Sequence, residues 1–324
     1  MKKILALLLC VSMVSSHCVI PVYATDVSDE SMQKQAEMSE EETIVETEQF
    51  AETEQQFFVE PKSETEEEKE SLELSTYVAV NPLYDDLVTE ADILNEVADD
   101  KKVSFFEEPE YLTSEEEVVQ KLRTGMEYRS EVITIHYMLN QEFSKTMFEN
   151  VIYSAMEETG VPTQGDYIYL NYRGVSIPEG EASGYVIGGK YYYTLNFHFV
   201  YYTTYEQEEE VTAAVDNLIS SFGFDSNTTD YKKVKTIYDW VCNNVTYDHA
   251  NLNNSAYLLK FSTYAAMINR TCVCQGYSSL MYRLLREVGV LTRCITGTSS
   301  GGRHAWNIVK LDDDYYNIDA TWDA

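Results

Sequence analysis

Three residues in the last third of the chain, Cys274, His304 and Asp319, have the types and the placement to make a thiol nucleophile, its base and an orienting carboxylate. Cys274 stands just ahead of an apolar series, Tyr277, Leu280, Met281, Leu284, Leu285 and Val288, that repeats at helical spacing and stops at Gly289. It therefore lies at or just before a helix N-terminus, whose positive end favours a thiolate over a thiol. A buried structural thiol is the default for an isolated cysteine. That reading expects the residue inside the apolar stripe, and Cys274 is outside it. His304 follows the glycine-rich run Gly297 to Gly302 and opens an alternating segment, His304 to Lys310, that reads as a strand. Asp312 to Asp314 turns the chain and Tyr315 to Thr321 returns it. If the turn centres between Asp312 and Asp313, His304 faces Thr321, and Asp319 is diagonal to it on the same face, within reach of a His–Asp hydrogen bond. An odd-length loop without a bulge would put the two on opposite faces.

The elements that must position these residues are legible in outline. Asp230 to Asn243 reads as a helix with Val234, Ile237, Tyr238 and Val241 on one face, and a strand is expected from Val290 to Thr296. Ahead of them, Tyr111 to Gly223 reads as a smaller unit in the order α-β-α-β-β-α. Ser114-x-x-Glu117 and Thr204-x-x-Gln207 are capping boxes that open its first and last helices. Its strands are expected over Val132 to Tyr137, Asp166 to Ile177 and Lys190 to Thr203, with Gly180 to Gly189 as a connection and an amphipathic helix over Phe143 to Glu158. Tyr191, Tyr193, Leu195, Phe197, Phe199 and Tyr201 share one strand face, which reads as packing more readily than as a sugar or peptide platform. His136 and His198 have no ligand-spaced partner and read as structural.

With these pieces placed, Cys274-Gln275-Gly276-Tyr277, His304-Ala305-Trp306-Asn307 and Asn317-Ile318-Asp319-Ala320-Thr321-Trp322-Asp323 resemble, in order and spacing, the three signature blocks of the transglutaminase-like superfamily. The resemblance covers about residues 230–324. It implies an α+β, papain-like fold in residues 225–324, with a nucleophile helix packed on an antiparallel sheet; the element order read above puts a small α+β accessory domain at 106–224 ahead of it. It implies Cys274 as nucleophile, His304 as base and then acid, and Asp319 as the residue that orients the imidazole. The oxyanion donors it suggests are the Cys274 N–H and Tyr264, an aromatic ahead of the cysteine block. Cys272 departs from the small residue often found there. Family domains usually continue past the last block, so the resemblance raises the expectation of a domain truncated or minimal at Ala324. The activity implied is that of a peptidase, an amidase or a cross-linking transglutaminase, acting on a protein or peptide substrate, cell-wall-associated substrates included. The competing expectation is a non-catalytic surface or adhesion module that keeps the fold.

Composition and ends bound these readings. Net charge is −32, with 55 acids against 23 Lys and Arg in 324 residues, which argues against nucleic acid and anionic membrane surfaces as partners. Residues 1–24 read as a signal peptide: Lys2 and Lys3, an apolar run Ile4 to Val14, and Val22-Tyr23-Ala24 before the cut. A secreted or cell-surface protein, bacterial in type, is expected, with no membrane-spanning segment once the signal is removed. Residues 26–75 hold 18 acids and three lysines, so 25–105 reads as a disordered acidic tether, with 76–108 transitional and a short helix expected around Glu90 to Val97. Cys242, Cys272, Cys274 and Cys294 remain in the mature chain. An even count invites pairing, but Cys274 has the better use as a nucleophile. A zinc site fits poorly, because Cys272 and Cys274 have one intervening residue. Asp312 to Asp314 lacks the glycine and distal glutamate of a calcium loop. No metal or cofactor is called for.

Overall fold

The computed structural model describes residues 69–83, 85, 87–97, 109–299 and 302–324. The expected signal peptide and most of the expected tether lie outside the described residues. Within the expected tether, Glu70–Ser71 (β1) and Tyr77–Val80 (β2) are paired strands, a correction to that reading, and Glu90–Val97 (α1) is the short helix expected there. Here pairing overrides an acidic composition, because β1 adds to the edge of a strand far along the chain and β2 to another. Ile93 and Val97 of α1 are buried.

The elements that follow are Glu115–Glu127 (α2), Val132–Leu139 (β3), Lys145–Ala155 (α3), Asp166–Asn171 (α4), Tyr172–Ile177 (β4), Ala182–Ile187 (β5), Lys190–Tyr201 (β6) and Tyr205–Phe222 (α5). One antiparallel sheet runs β1-β5-β6-β4-β2, with β3 also paired to β6. Both expected capping boxes form, at Ser114 with Glu117 and at Thr204 with Gln207. Alternation on β6 buries Tyr193, Leu195, Phe197 and Phe199 beneath α2 and α3. Two expectations need correction. Asp166 to Asn171 is helical rather than strand, since each of its ends is held by a distant partner: Asp166 by Arg293 and the Cys294 N–H, and Asn171 by Ser279. The segment read as a connection contains β5, which joins β6 through Gly188 and Gly189, both at positive φ (58° and 74°), the requirement of a two-residue hairpin turn.

The second half comprises Asp230–Asn244 (α6), Thr246–Tyr247 (β7), Thr263–Met267 (α7), Thr271–Cys272 (β8), Cys274–Glu287 (α8), Thr292–Ser299 (β9), Gly302–Leu311 (β10) and Asp314–Ile318 (β11). Strands β9, β10 and β11 form an antiparallel sheet with β10 central, and β7 pairs β8 in parallel. Helices α5, α6, α7 and α8 share one apolar core with this sheet. α5 contributes Val211 and Val215 to it, so a helix read as part of the accessory unit packs with the C-terminal one.

α8 is the spindle of this arrangement. Its apolar stripe faces the second core as expected. Its polar face is buried too, because the first half of the chain covers it. Ser278, Ser279, Tyr282 and Arg283 are all enclosed. Hydrogen bonds meet them there: Ser279 meets Thr263 at 2.5 Å, the Tyr282 hydroxyl donates to Glu158 at 2.6 Å, and Arg283 Nε donates to Glu287 at 2.7 Å. A helix packed on all sides holds its first residue firmly, and that residue is Cys274. Its buried leucines, Leu280, Leu284 and Leu285, belong to the class whose truncation costs about 2–5 kcal/mol each.

Candidate active site

Cys274 is the first helical residue of α8, after Val273 as N-cap, which makes no side-chain capping bond. The N–H groups of the first turn therefore converge, uncapped by a side chain, beside the cysteine, where the helix dipole is positive. The glycine two positions on is a packing requirement. A Cβ at Gly276 would lie 2.6 Å from Cys272 Cβ and 3.0 Å from the Ser262 carbonyl oxygen, a backbone atom that does not swing away. Gly276→Ala is expected to cost about 1–3 kcal/mol through overpacking. The check is a thermal melt that falls by several degrees, with labelling of Cys274 slowed because the helix start has shifted.

His304 reaches the cysteine through the hairpin register. β10 and β11 pair Asn307 with Ile318, Ile308 with Asn317 and Leu311 with Asp314, so the turn centres between Asp312 and Asp313 as the spacing predicts. The chain leaves β11 with Asp319 on the His304 side. His304 Nε2 and Asp319 Oδ2 lie 2.6 Å apart. The carboxylate is itself fixed, its other oxygen accepting from the Thr321 N–H at 3.1 Å. Hydrogen bonding to the Cys274 sulfur pushes the His304 pKa up to about 9; burial opposes this, and Asp319 adds to it by hydrogen bond and charge. With Nε2 taken by Asp319, Nδ1 is the nitrogen left for the sulfur. The ring lies near Trp306 and Trp322, at centroid distances of 6.0 and 5.5 Å. Trp322 is 61% exposed.

The structure thus brings Cys274, His304 and Asp319 together and leaves Tyr264 out. The Tyr264 hydroxyl donates to Glu210 at 3.0 Å, and the residue does not line the cleft at Cys274. The side chain of Gln275 is also committed elsewhere, donating to the Leu170 carbonyl at 2.8 Å. The aromatic that does meet the site is Tyr247. The parallel β7–β8 pair sets it beside Cys272, and its phenol lies against the Cys274 backbone. Burial raises its pKa to about 12, with the neighbouring cysteines adding to the effect. Sequence reasoning passed it over because only a pairing between distant segments reveals it.

The other thiols are unlike Cys274 in setting. Cys272 and Cys294 are pushed well above the ordinary thiol range, first by burial. Cys242 is raised to about 11, again chiefly by burial. All four cysteines are free thiols. Asn307, from the histidine block, is a strut: its amide donates to the Ser278 carbonyl at 3.0 Å and ties β10 to α8. Among the described residues, no group of three or more His, Cys, Asp and Glu gathers to hold a metal ion, and no helix is long and apolar enough to cross a membrane.

Residues 221–320 match the family model described as the transglutaminase-like superfamily. Kyphoscoliosis peptidase of Homo sapiens is 28% identical over 130 residues, covering 36% of this chain and 19% of that protein. Its Mus musculus counterpart is 26% identical over 126 residues, covering 35% and 18%. The chain therefore spans under a fifth of the length of these curated relatives. Among solved structures, a crystal structure of a TGase aligns at 18% identity and a TM-score of 0.32, covering 61% of this chain and 56% of that one. A Cytophaga hutchinsonii chain, described as a "putative cysteine protease", aligns at 21% identity and 0.27, covering 41% and 53%.

Proposed function

We propose that Cys274, His304 and Asp319 are a catalytic triad and that the protein is a thiol enzyme acting on amide or peptide bonds through a thioester. The observation that carries this reading is the imidazole of His304 held between the Cys274 sulfur and Asp319 Oδ2. The proton on the imidazole leaves the sulfur as the nucleophile.

The thiolate attacks the substrate carbonyl carbon, a C–S bond forms, and the carbonyl electron pair moves to oxygen. We assign the Cys274 N–H at the head of α8 and the Tyr247 phenol beside it as the donors to that oxyanion. On collapse the C–N bond breaks and His304 delivers its proton to the departing amine. Water then adds to the acyl carbon, losing a proton to His304, and Cys274 leaves as the thiolate. Asp319 keeps the imidazole in one orientation and stabilises its charged form throughout. Hydrolysis is the outcome we assign. An amine in place of water would give a cross-link from the same thioester.

The test is acid quench and intact mass of the protein mixed with peptide amides. A covalent acyl adduct on Cys274 supports the reading. No adduct with any amide, ester or peptide tried would leave a non-catalytic binding module. The pH profile is a second check. His304 is raised from the ordinary 6.5 to about 9. Its charged form, and the contribution of its pairing to folding, are complete below 6.5 and fade as pH rises through about 9. Amide turnover is therefore expected to fall on that alkaline limb, where the leaving amine loses its proton donor. Alkylation of the thiolate, which needs no proton donor, should not fall with it.

Export is part of the same proposal, supported by Lys2, Lys3 and the apolar run before Ala24. Secreted material should begin at Thr25. An unprocessed cytoplasmic product would refute this.

A further inference from the structure

The cleft at Cys274 encloses about 650 Å³, within the range that takes a ligand of several residues' bulk. Part of its lining comes from far upstream, as Pro82, Leu83 and Leu87 follow β2 and enter the wall. Leu258, Phe261 and Val273 supply more apolar surface. Leu87 is 51% exposed, an apolar side chain at the cleft with its outer half uncovered.

The cations in the lining are committed. Lys260 donates to the carbonyls of Asn251, Leu252 and Asn254 at 2.6, 3.1 and 2.8 Å. Arg303, the neighbour of His304, donates to the Leu83 carbonyl at 3.0 Å and to Asp85 at 2.5 Å. That arginine thus clamps the upstream segment to β10 beside the histidine. Among the described lining residues there is no carboxylate, although the whole chain carries a net charge of −32.

We infer that Pro82, Leu83 and Leu87, held to β10 by Arg303 through the Leu83 carbonyl and Asp85, form a specificity wall, and that the substrate is a peptide bond flanked by a bulky apolar side chain, of leucine or phenylalanine size, which packs against Leu83 and Leu87. An acidic side chain there would give up hydration and find no free cation. This rests on the thiol-enzyme reading above and narrows it to a substrate class. Discrimination of about 10- to 100-fold in kcat/KM between apolar and acidic flanking residues is the scale a pocket of this kind provides.

The experiment digests a library of peptides of mixed sequence with the intact protein and maps the new termini by mass spectrometry, with Cys274→Ala as the blank. Cleavage enriched at Leu, Phe or Tyr and depleted at Asp and Glu is expected. Leu87→Lys places a cation at a half-exposed position where folding tolerates it. It should raise cleavage beside Glu relative to Leu by about tenfold or more. Cys274-dependent cleavage with no flanking preference, or an unchanged ratio in Leu87→Lys, would overturn the wall and leave the thiol-enzyme reading standing. Absence of any Cys274-dependent cleavage would overturn the peptide-substrate inference, and absence of an acyl adduct on Cys274 by intact mass as well would overturn the thiol-enzyme reading.

Discussion

Cys274→Ala is expected to abolish acyl-enzyme formation while leaving the fold intact. The sulfur is the atom that bonds to the acyl carbon, and it is the sulfur to which His304 hydrogen-bonds. Losing the nucleophile of a triad costs about six orders of magnitude in turnover, so the variant should keep only the small residual rate that substrate binding and the oxyanion donors supply. The folding cost should be small. Cys274 is only partly buried, and alanine suits the first turn of a helix. A circular dichroism melt close to the parent, with no adduct by intact mass, is the expected pair of results. Retained turnover would mean that the reaction does not pass through this thiol.

His304→Ala carries the second large effect. The imidazole holds the proton that Cys274 loses and later gives it to the leaving amine, so its removal deletes both base and acid. Such groups contribute about 10²- to 10⁴-fold each time they act in a rate-limiting transition state. Turnover of a peptide amide should fall by at least that range. Alkylation of Cys274 near neutral pH should slow as well, since the thiolate loses its counter-ion. Slower turnover with unchanged alkylation would mean that His304 serves only the later steps. No change in either would remove it from the mechanism.

The parts of this site that the sequence exposes are those built by local rules. Cys274 at a helix start follows from where an apolar repeat begins, and His304 with Asp319 follows from the parity of a two-residue turn. Capping boxes at Ser114 and Thr204 fix helix starts in the same way. What was not legible depends on partners far apart in the chain. The helix at Asp166–Asn171 is held by Arg293 and Ser279. The acidic segment around Glu70 becomes ordered by pairing with β5. Tyr247 enters the site through a parallel pair with β8, whereas Tyr264, nearer to Cys274 in sequence, turns away to Glu210. The Gly188-Gly189 pair was a local signal for a hairpin, and it announces β5 once read as a turn.

One measurement tests the central claim most directly. The reduced protein is treated with limiting iodoacetamide at about pH 6, where an ordinary thiol is almost wholly protonated, and labelled cysteines are mapped by mass spectrometry beside a His304→Ala control. Cys272, Cys294 and Cys242 are all held above the ordinary thiol range by burial and should stay unlabelled. Fast labelling of Cys274 alone, lost in the control, is the predicted result. Slow and equal labelling of all four, unaffected by His304, would contradict the proposed triad.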